Sequence, residues 1–483
     1  MKITFRSFFK DMMTYGVGDL LLKATAFITM PIYTRFFMPT DYGVWNNVLT
    51  ATSLLGSILA LGSDAVYARF FIEGETVQDR QRVTSTWLGF LAVWSSVVVL
   101  ICLPFTGLFS RLLFTTEQYK ILLALALLTQ PLWLINAMCA QVLRNQFRAR
   151  LFATLNVVAT LMSIGFSVLG AIVFKLGLVG VFLGPLVANL LILPVRLWTT
   201  RDLLRPVFSM RLLRDLVAFG IPVVPASLAY WAFGVSDRIL LGRLSTLEQA
   251  GLYAVANGLA NVLVLVNSAF GQAWLPYAMR VYQEQPQTAS VFYGQVMTYL
   301  LAGFGLLCVG LTAFAREALI ILSTPPYYPA AKAIGPLTLG ILAFASTQVT
   351  YLGMMLAKKS RYFVLTWVAA LVSVMVNVLL IPRWGMLAAA WTSALSYVIL
   401  TLAYLGISQR LCPVVYEKRK TLTAIALVIG FTLLVSRLPH LDLVAGLALK
   451  MVYCASYLAA LFIFRVFDQR EISMVRRALQ GVF

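Results

Sequence analysis

Charge is scarce in this chain. Only 12% of its 483 residues are Asp, Glu, Lys or Arg, where soluble domains carry about a quarter. Acids are rarer still, 18 against 38 basic residues, and His440 is the single histidine. A lone histidine without carboxylate or cysteine neighbours makes no metal site. The five cysteines have neither paired nor metal-like spacing. Cys102, Cys139, Cys308 and Cys454 fall in apolar runs and Cys412 in a loop, where they read as inert small hydrophobes. No Walker A loop, no Gly-x-Ser-x-Gly and no His-Glu-x-x-His occurs, and the acids form no paired catalytic constellation. These gaps argue against a soluble domain, a built-in ATPase and a zinc or serine hydrolase. No catalytic residue, metal or cofactor is expected.

What the chain has in abundance is long apolar sequence. It is 60% hydrophobic, with a mean hydropathy of +0.86. A bilayer core needs about 20 apolar residues for a helical crossing, and runs of that length recur from end to end. They are continuous rather than alternating, so they read as helices and not barrel strands. Fourteen spans are expected: 13–34, 43–63, 83–105, 118–143, 152–174, 180–198, 216–241, 251–274, 291–315, 332–356, 363–381, 386–407, 422–438 and 443–465. The fold class is thus an all-α polytopic membrane protein. Ala24-Thr25-Ala26 mimics a signal cleavage site, but Gly16, Gly18 and Asp19 interrupt the stretch before it, so the first span is expected to be retained.

A net charge of +20 would suit nucleic acid, but its placement does not. Lys and Arg bunch in every second gap: Lys2–Lys10, Arg69–Arg82, Arg144–Arg150, Arg196–Arg214, Lys358–Arg361, Arg410–Lys420 and Arg465–Arg477. This is the positive-inside bias. It places both termini in the cytoplasm and sets the clusters against anionic lipid headgroups. Membrane lipid is the expected partner; nucleic acid is not.

The chain nearly repeats after about 208 residues. Arg35–Asn46 aligns with Arg243–Ala254, so that Gly43 meets Gly251; Tyr119 meets Tyr327; Lys175-Leu-Gly177 meets Arg383-Trp-Gly385. Two six-span lobes, 1–198 and 216–407, both starting from the cytoplasm, make a parallel repeat. Residues 199–215 read as a cytoplasmic amphipathic linker, and 408–483 as two further spans and a tail.

Polar residues inside spans are costly and therefore informative. On the second span Asn46, Thr50, Ser53, Ser57 and Asp64 follow helical spacing, as do Asn257, Asn261, Ser268 and Gln272 on the equivalent eighth span. Such stripes either wall a hydrated cavity or pack the bundle by interhelical hydrogen bonds. Asp19 and Lys23 share a face of the first span, as an ion pair or as a cationic site with its counter-charge. Asp237 and Arg238 are adjacent near the outer end of the seventh span, with Arg238 able to snorkel outward. Asp64 and Arg69 stand at the inner end of the second, as interfacial groups or a gate.

Residues spread along the whole chain carry a family resemblance. They are Tyr15-Gly-Val-Gly18, Pro39-Thr-Asp-Tyr-Gly43, Phe219-Gly-Ile-Pro222, Ser236-Asp-Arg-Ile-Leu-Leu-Gly242, Ala250-Gly-Leu-Tyr-Ala-Val255, Tyr327-Tyr-Pro-Ala-Ala331 and Ile381-Pro-Arg-Trp-Gly-Met-Leu-Ala388. The chain resembles O-antigen and exopolysaccharide flippases, the polysaccharide-transport branch of the multidrug/oligosaccharidyl-lipid/polysaccharide exporter superfamily. That resemblance implies a non-enzymatic, inner-membrane flippase. It would move undecaprenyl-pyrophosphate-linked oligosaccharide outward by alternating access, for lipopolysaccharide or exopolysaccharide biosynthesis. It also implies a polysaccharide polymerase and a chain-length regulator as partners. The amide stripes would suit sugar hydroxyls and Lys23 a phosphate. Two other readings stand beside it. One is a cation-coupled exporter of small amphipathic compounds, using Asp19 or Asp237. The other is a glycan polymerase or ligase, against which the short outer loops count.

Overall fold

The computed structural model describes residues 29–357, 364–438 and 443–467. Most of the first expected span lies outside them, with Asp19, Lys23 and His440; residues 29–36 are helical. The helices that follow are α1 (Pro39–Leu59), α2 (Ser63–Glu73), α3 (Val77–Cys102), α4 (Thr106–Phe114), α5 (Lys120–Asn145), α6 (Ala149–Val168), α7 (Leu178–Thr199), α8 (Met210–Gly220) and α9 (Val223–Leu244). Then come α10 (Leu247–Glu284), α11 (Pro286–Ala313), α12 (Ala315–Leu322), α13 (Ala331–Thr350), α14 (Leu352–Leu356), α15 (Leu365–Leu411), α16 (Lys418–Leu434) and α17 (Leu443–Ile463). Twelve helical stretches among the described residues are long and apolar enough to cross a membrane. One of them, α15, contains two expected spans. Gly385 breaks it at φ 54°, ψ −131°, and Thr366 bonds Tyr404 across the hairpin at 2.8 Å.

The repeat is visible in the backbone. Gly177 before α7 has φ 57°, ψ −134°, nearly the conformation of its repeat mate Gly385. Both angles lie in a region that glycine alone adopts cheaply. Helix α1 starts at Pro39 and α10 at Leu247, also repeat mates. Proline at the first helical position and the Asp41 carboxylate accepting the Met38 amide (3.2 Å) define the start of α1. Helix α3 opens with a reciprocal cap. The Asp79 amide donates to the Thr76 hydroxyl (3.1 Å), and the Asp79 carboxylate accepts from the Thr76 hydroxyl and amide. Those bonds hold the Asp79 carboxyl below its usual value.

Packing divides the chain into Met1–Gly251 and Leu252–Phe483. In the first unit, Trp87, Tyr67, Leu91, Val142 and Leu216 form one buried cluster. Its polar tips are satisfied: Trp87 Nε1 donates to Ser63 (2.9 Å) and Tyr67 meets Thr84 (2.9 Å). A hydrogen bond between membrane helices is worth about 0.6 kcal/mol, so close packing must carry most of the association. Gly180 lies directly on the backbone of Gly170, and Gly184 on Ser167, closing the α6–α7 hairpin. In the second unit α16 and α17 pack on α11. Gly305 sits under Tyr457 and Val428, and Lys450 on α17 pairs with Glu317 on α12 at 2.5 Å.

Candidate functional site

Four of the expected polar positions share one face of α1. Their hydroxyls turn inward on the helix: Thr50 donates to the Asn46 carbonyl (2.8 Å), Ser53 to Thr50 (2.7 Å) and Ser57 to Ser53 (2.9 Å). Back-bonding spends each proton locally and leaves the oxygen as an acceptor. Ser53 uses that capacity, because Trp231 on α9 donates Nε1–H to its hydroxyl at 2.9 Å and to the Thr50 carbonyl at 3.3 Å. The Asn46 Oδ1 is buried without a hydrogen-bond partner. So is that of Asn47, a fully buried neighbour whose amide fits against Gly242. Gln130 on α5 reaches the same helix at Gly56. Ser53 is exposed and Asn46 and Ser57 are half-buried, while Thr50 is buried; the accessible part of this face is thus two hydroxyls and an amide beside one indole, groups able to hydrogen-bond a polyhydroxylated ligand.

Asp64 does not continue that face. The chain leaves α1 through Leu61 (φ 46°) and Gly62 (φ 65°), and Asp64 starts α2. A left-handed turn resets the helical phase, so the spacing that joined Asp64 to Ser57 in the sequence no longer applies. Asp64 instead accepts from Gln141 (2.6 Å) and Arg144 (3.1 Å) at the end of α5. Arg69 pairs with Glu73 (2.9 Å) and lies over the Phe219 ring at 4.6 Å. These exposed ion pairs contribute about 0–1 kcal/mol each. Asp237 is buried, and its carboxylate accepts the amide of Arg238 (2.8 Å). Arg238 is half-buried, within electrostatic reach of Tyr42.

In the second unit, Asn257 and Ser268 are half-buried on α10, while Asn261 and Gln272 are exposed. Gln272 donates to Ser268 at 3.5 Å. The neighbouring Asn267 is buried, its Oδ1 without a hydrogen-bond partner. Gly271 rests against the Gln348 side chain, whose backbone carbonyl accepts from Trp274 Nε1 (3.0 Å).

Arg196 is the largest departure from the sequence reading. Its place in a run of arginines assigned it to the cytoplasmic cluster, yet it is 4% exposed. Its guanidinium donates to the Asn136 carbonyl (2.8 Å) and the Asn156 Oδ1 (2.7 Å), binding α7 to α5 and α6. Asn136 in turn donates to Asn189. The three asparagines in neighbouring spans were the available signal. Trp231 and Gln348 were also missed: an indole does not interrupt an apolar run, and Gln348 stands in a polar stretch, Ser346–Thr350, that has no counterpart in the two stripes. All five cysteines are free thiols, and among the described residues no group of three or more His, Cys, Asp or Glu could hold a metal.

Residues 8–281 match the family described as polysaccharide biosynthesis protein. The succinoglycan biosynthesis transport protein of Rhizobium meliloti is 26% identical over 361 residues, 70% of this chain and 68% of that one. An uncharacterized membrane protein of Methanocaldococcus jannaschii is 24% identical over 273 residues, 56% of this chain and 53% of its own length. The fold is similar to that of the lipid II flippase MurJ in an inward closed conformation, with a TM-score of 0.75 at 11% identity over 93% of this chain and 98% of that one. An inward-facing multidrug resistance MATE transporter aligns with a TM-score of 0.62 at 13% identity, covering 80% of this chain and 94% of the other.

Proposed function

This chain belongs to the polysaccharide biosynthesis protein family, and on that footing we propose that it flips undecaprenyl-pyrophosphate-linked oligosaccharide across the bacterial inner membrane. It is a multi-pass membrane protein of the exporter-superfamily fold. The repeats 1–198 and 216–407 are taken as the bodies that alternate access, with both termini in the cytoplasm. The polar faces of α1 and α10 take the sugar, and Lys23, in the first span, takes the pyrophosphate. The observation that carries this reading is the polar face of α1: Asn46, Thr50, Ser53 and Ser57, completed by Trp231. Hydroxyls, amides and an aromatic surface suit a sugar headgroup better than an apolar drug. The succinoglycan transporter and the lipid II flippase support the same class of cargo. A polymerase and a chain-length regulator are its proposed partners.

The buried Asp237 favours a second reading, a cation-coupled exporter of amphipathic compounds. One deletion strain separates the two. Complete repeat units accumulating on the carrier, with surface polymer lost, is the result expected. Normal glycan and carrier pools, with drug sensitivity raised, would favour the exporter.

A further inference from the structure

We propose that a cleft of about 650 Å³ between the last turns of α10 and the first turns of α11 is a docking site for the uncharged sugar portion of the cargo. This rests on the flippase reading above and specifies where the glycan is first recognised. The volume falls within the range of small-ligand pockets, about 300–1,000 Å³.

The lining has the chemistry of a sugar site. Tyr277 is exposed, so one ring face is open for stacking against the C–H face of a pyranose; Phe292 flanks it at 5.8 Å. Gln285, Gln287 and Gln295 bring both amide donors and acceptors, which match hydroxyls in either sense. Gln285 is held in place by the Thr288 hydroxyl, which donates to its Oε1 at 3.3 Å. The cleft also holds Arg280, but its guanidinium is paired with Glu284 at 2.7 Å. That pair cancels the local charge, so the site favours a neutral polyol over a phosphate.

The walls are fixed from behind. Tyr293 is fully buried, donates to the Ala278 carbonyl (2.6 Å) and packs edge-on to Trp274 at 5.8 Å. Arginine distribution assigns this end of α10 to the cytoplasm, the side on which the cargo is made under the flippase reading.

The test uses purified full-length protein in nanodiscs. The probe is the water-soluble oligosaccharide released by mild acid from the host's own surface polysaccharide, with inorganic phosphate as a second probe. Expected are saturable binding of the oligosaccharide, weakened about tenfold by Tyr277→Ala and by Gln287→Ala, near-native binding by Tyr277→Phe, and no competition by phosphate. Both positions are exposed, and monodispersity on size exclusion checks folding. Oligosaccharide binding indifferent to both alanine variants would overturn the cleft, as would no binding at all or displacement by phosphate. Carrier-linked intermediates in the deletion strain are read separately, so the cleft can fail while the flippase reading stands.

Discussion

Gly43 and Gly251, repeat mates about 208 residues apart in the chain, lie backbone to backbone: a side-chain carbon on Gly251 would fall on the Pro39 carbonyl and 3.0 Å from the Gly43 nitrogen. The same atom on Gly43 would fall on the Leu247 carbonyl. The first turns of two equivalent helices thus meet through the smallest residue available, as close helix packing in lipid requires. Gly43→Ala and Gly251→Ala should each cost about 1–3 kcal/mol, the penalty for overpacking. Gly89→Ala and Gly165→Ala, where an added carbon meets nothing within 4 Å, should be neutral. Thermal unfolding of the detergent-solubilised variants compares the four.

Trp231 contributes two separable properties, a ring and an N–H donor. Trp231→Phe keeps an aromatic ring and removes the bonds to the Ser53 hydroxyl and the Thr50 carbonyl, so transport should fall by less than about threefold. Trp231→Ala removes the platform and should cost about tenfold or more. Mass spectrometry of carrier-linked intermediates, normalised to membrane abundance, reads the difference. Equal effects would assign the contribution to the N–H donor and not to the ring.

Lys23 tests the cationic part of the proposed cargo site. Lys23→Ala should impair flipping while leaving the protein's abundance in the membrane intact. An equal loss of abundance would make Asp19 and Lys23 a packing ion pair instead.

Arg196→Ala should act on stability and not on cargo. It strips charge-assisted hydrogen bonds from the Asn136 carbonyl and from Asn156. At about 1.5–3 kcal/mol for each such bond, the loss should reach about 3 kcal/mol. Fluorescence-detected size exclusion after a heat step measures it, with Arg201→Ala, on an exposed residue of the same basic run, as the comparison.

Asp79 predicts an acid dependence at the start of α3. Its carboxyl is depressed from the model-compound value of 3.8 by the Thr76 hydrogen bonds. The stabilisation is therefore present above 3.8 and is lost as pH falls through the lower folded-state value. Amide exchange at the first turn of α3 should rise over that window. Asp79→Asn should flatten the response, and Thr76→Ala should move it toward 3.8.

The apolar runs determined the helices on their own, because a buried backbone in lipid has no other way to pair its N–H and C=O groups. Positional matches such as Gly177 with Gly385 determined the repeat, since an unusual backbone angle demands the same residue wherever it recurs. The face carrying Asn46, Thr50, Ser53 and Ser57 was legible for a similar reason, as helical periodicity is a local property. Only tertiary structure decided that Gly62 ends that face before Asp64, that Arg196 is buried among asparagines, and that the Trp231 indole meets Ser53. Each of these depends on which neighbour a helix turns toward. An arginine at the end of a span and a tryptophan within one read alike in sequence whether they meet solvent, lipid or protein.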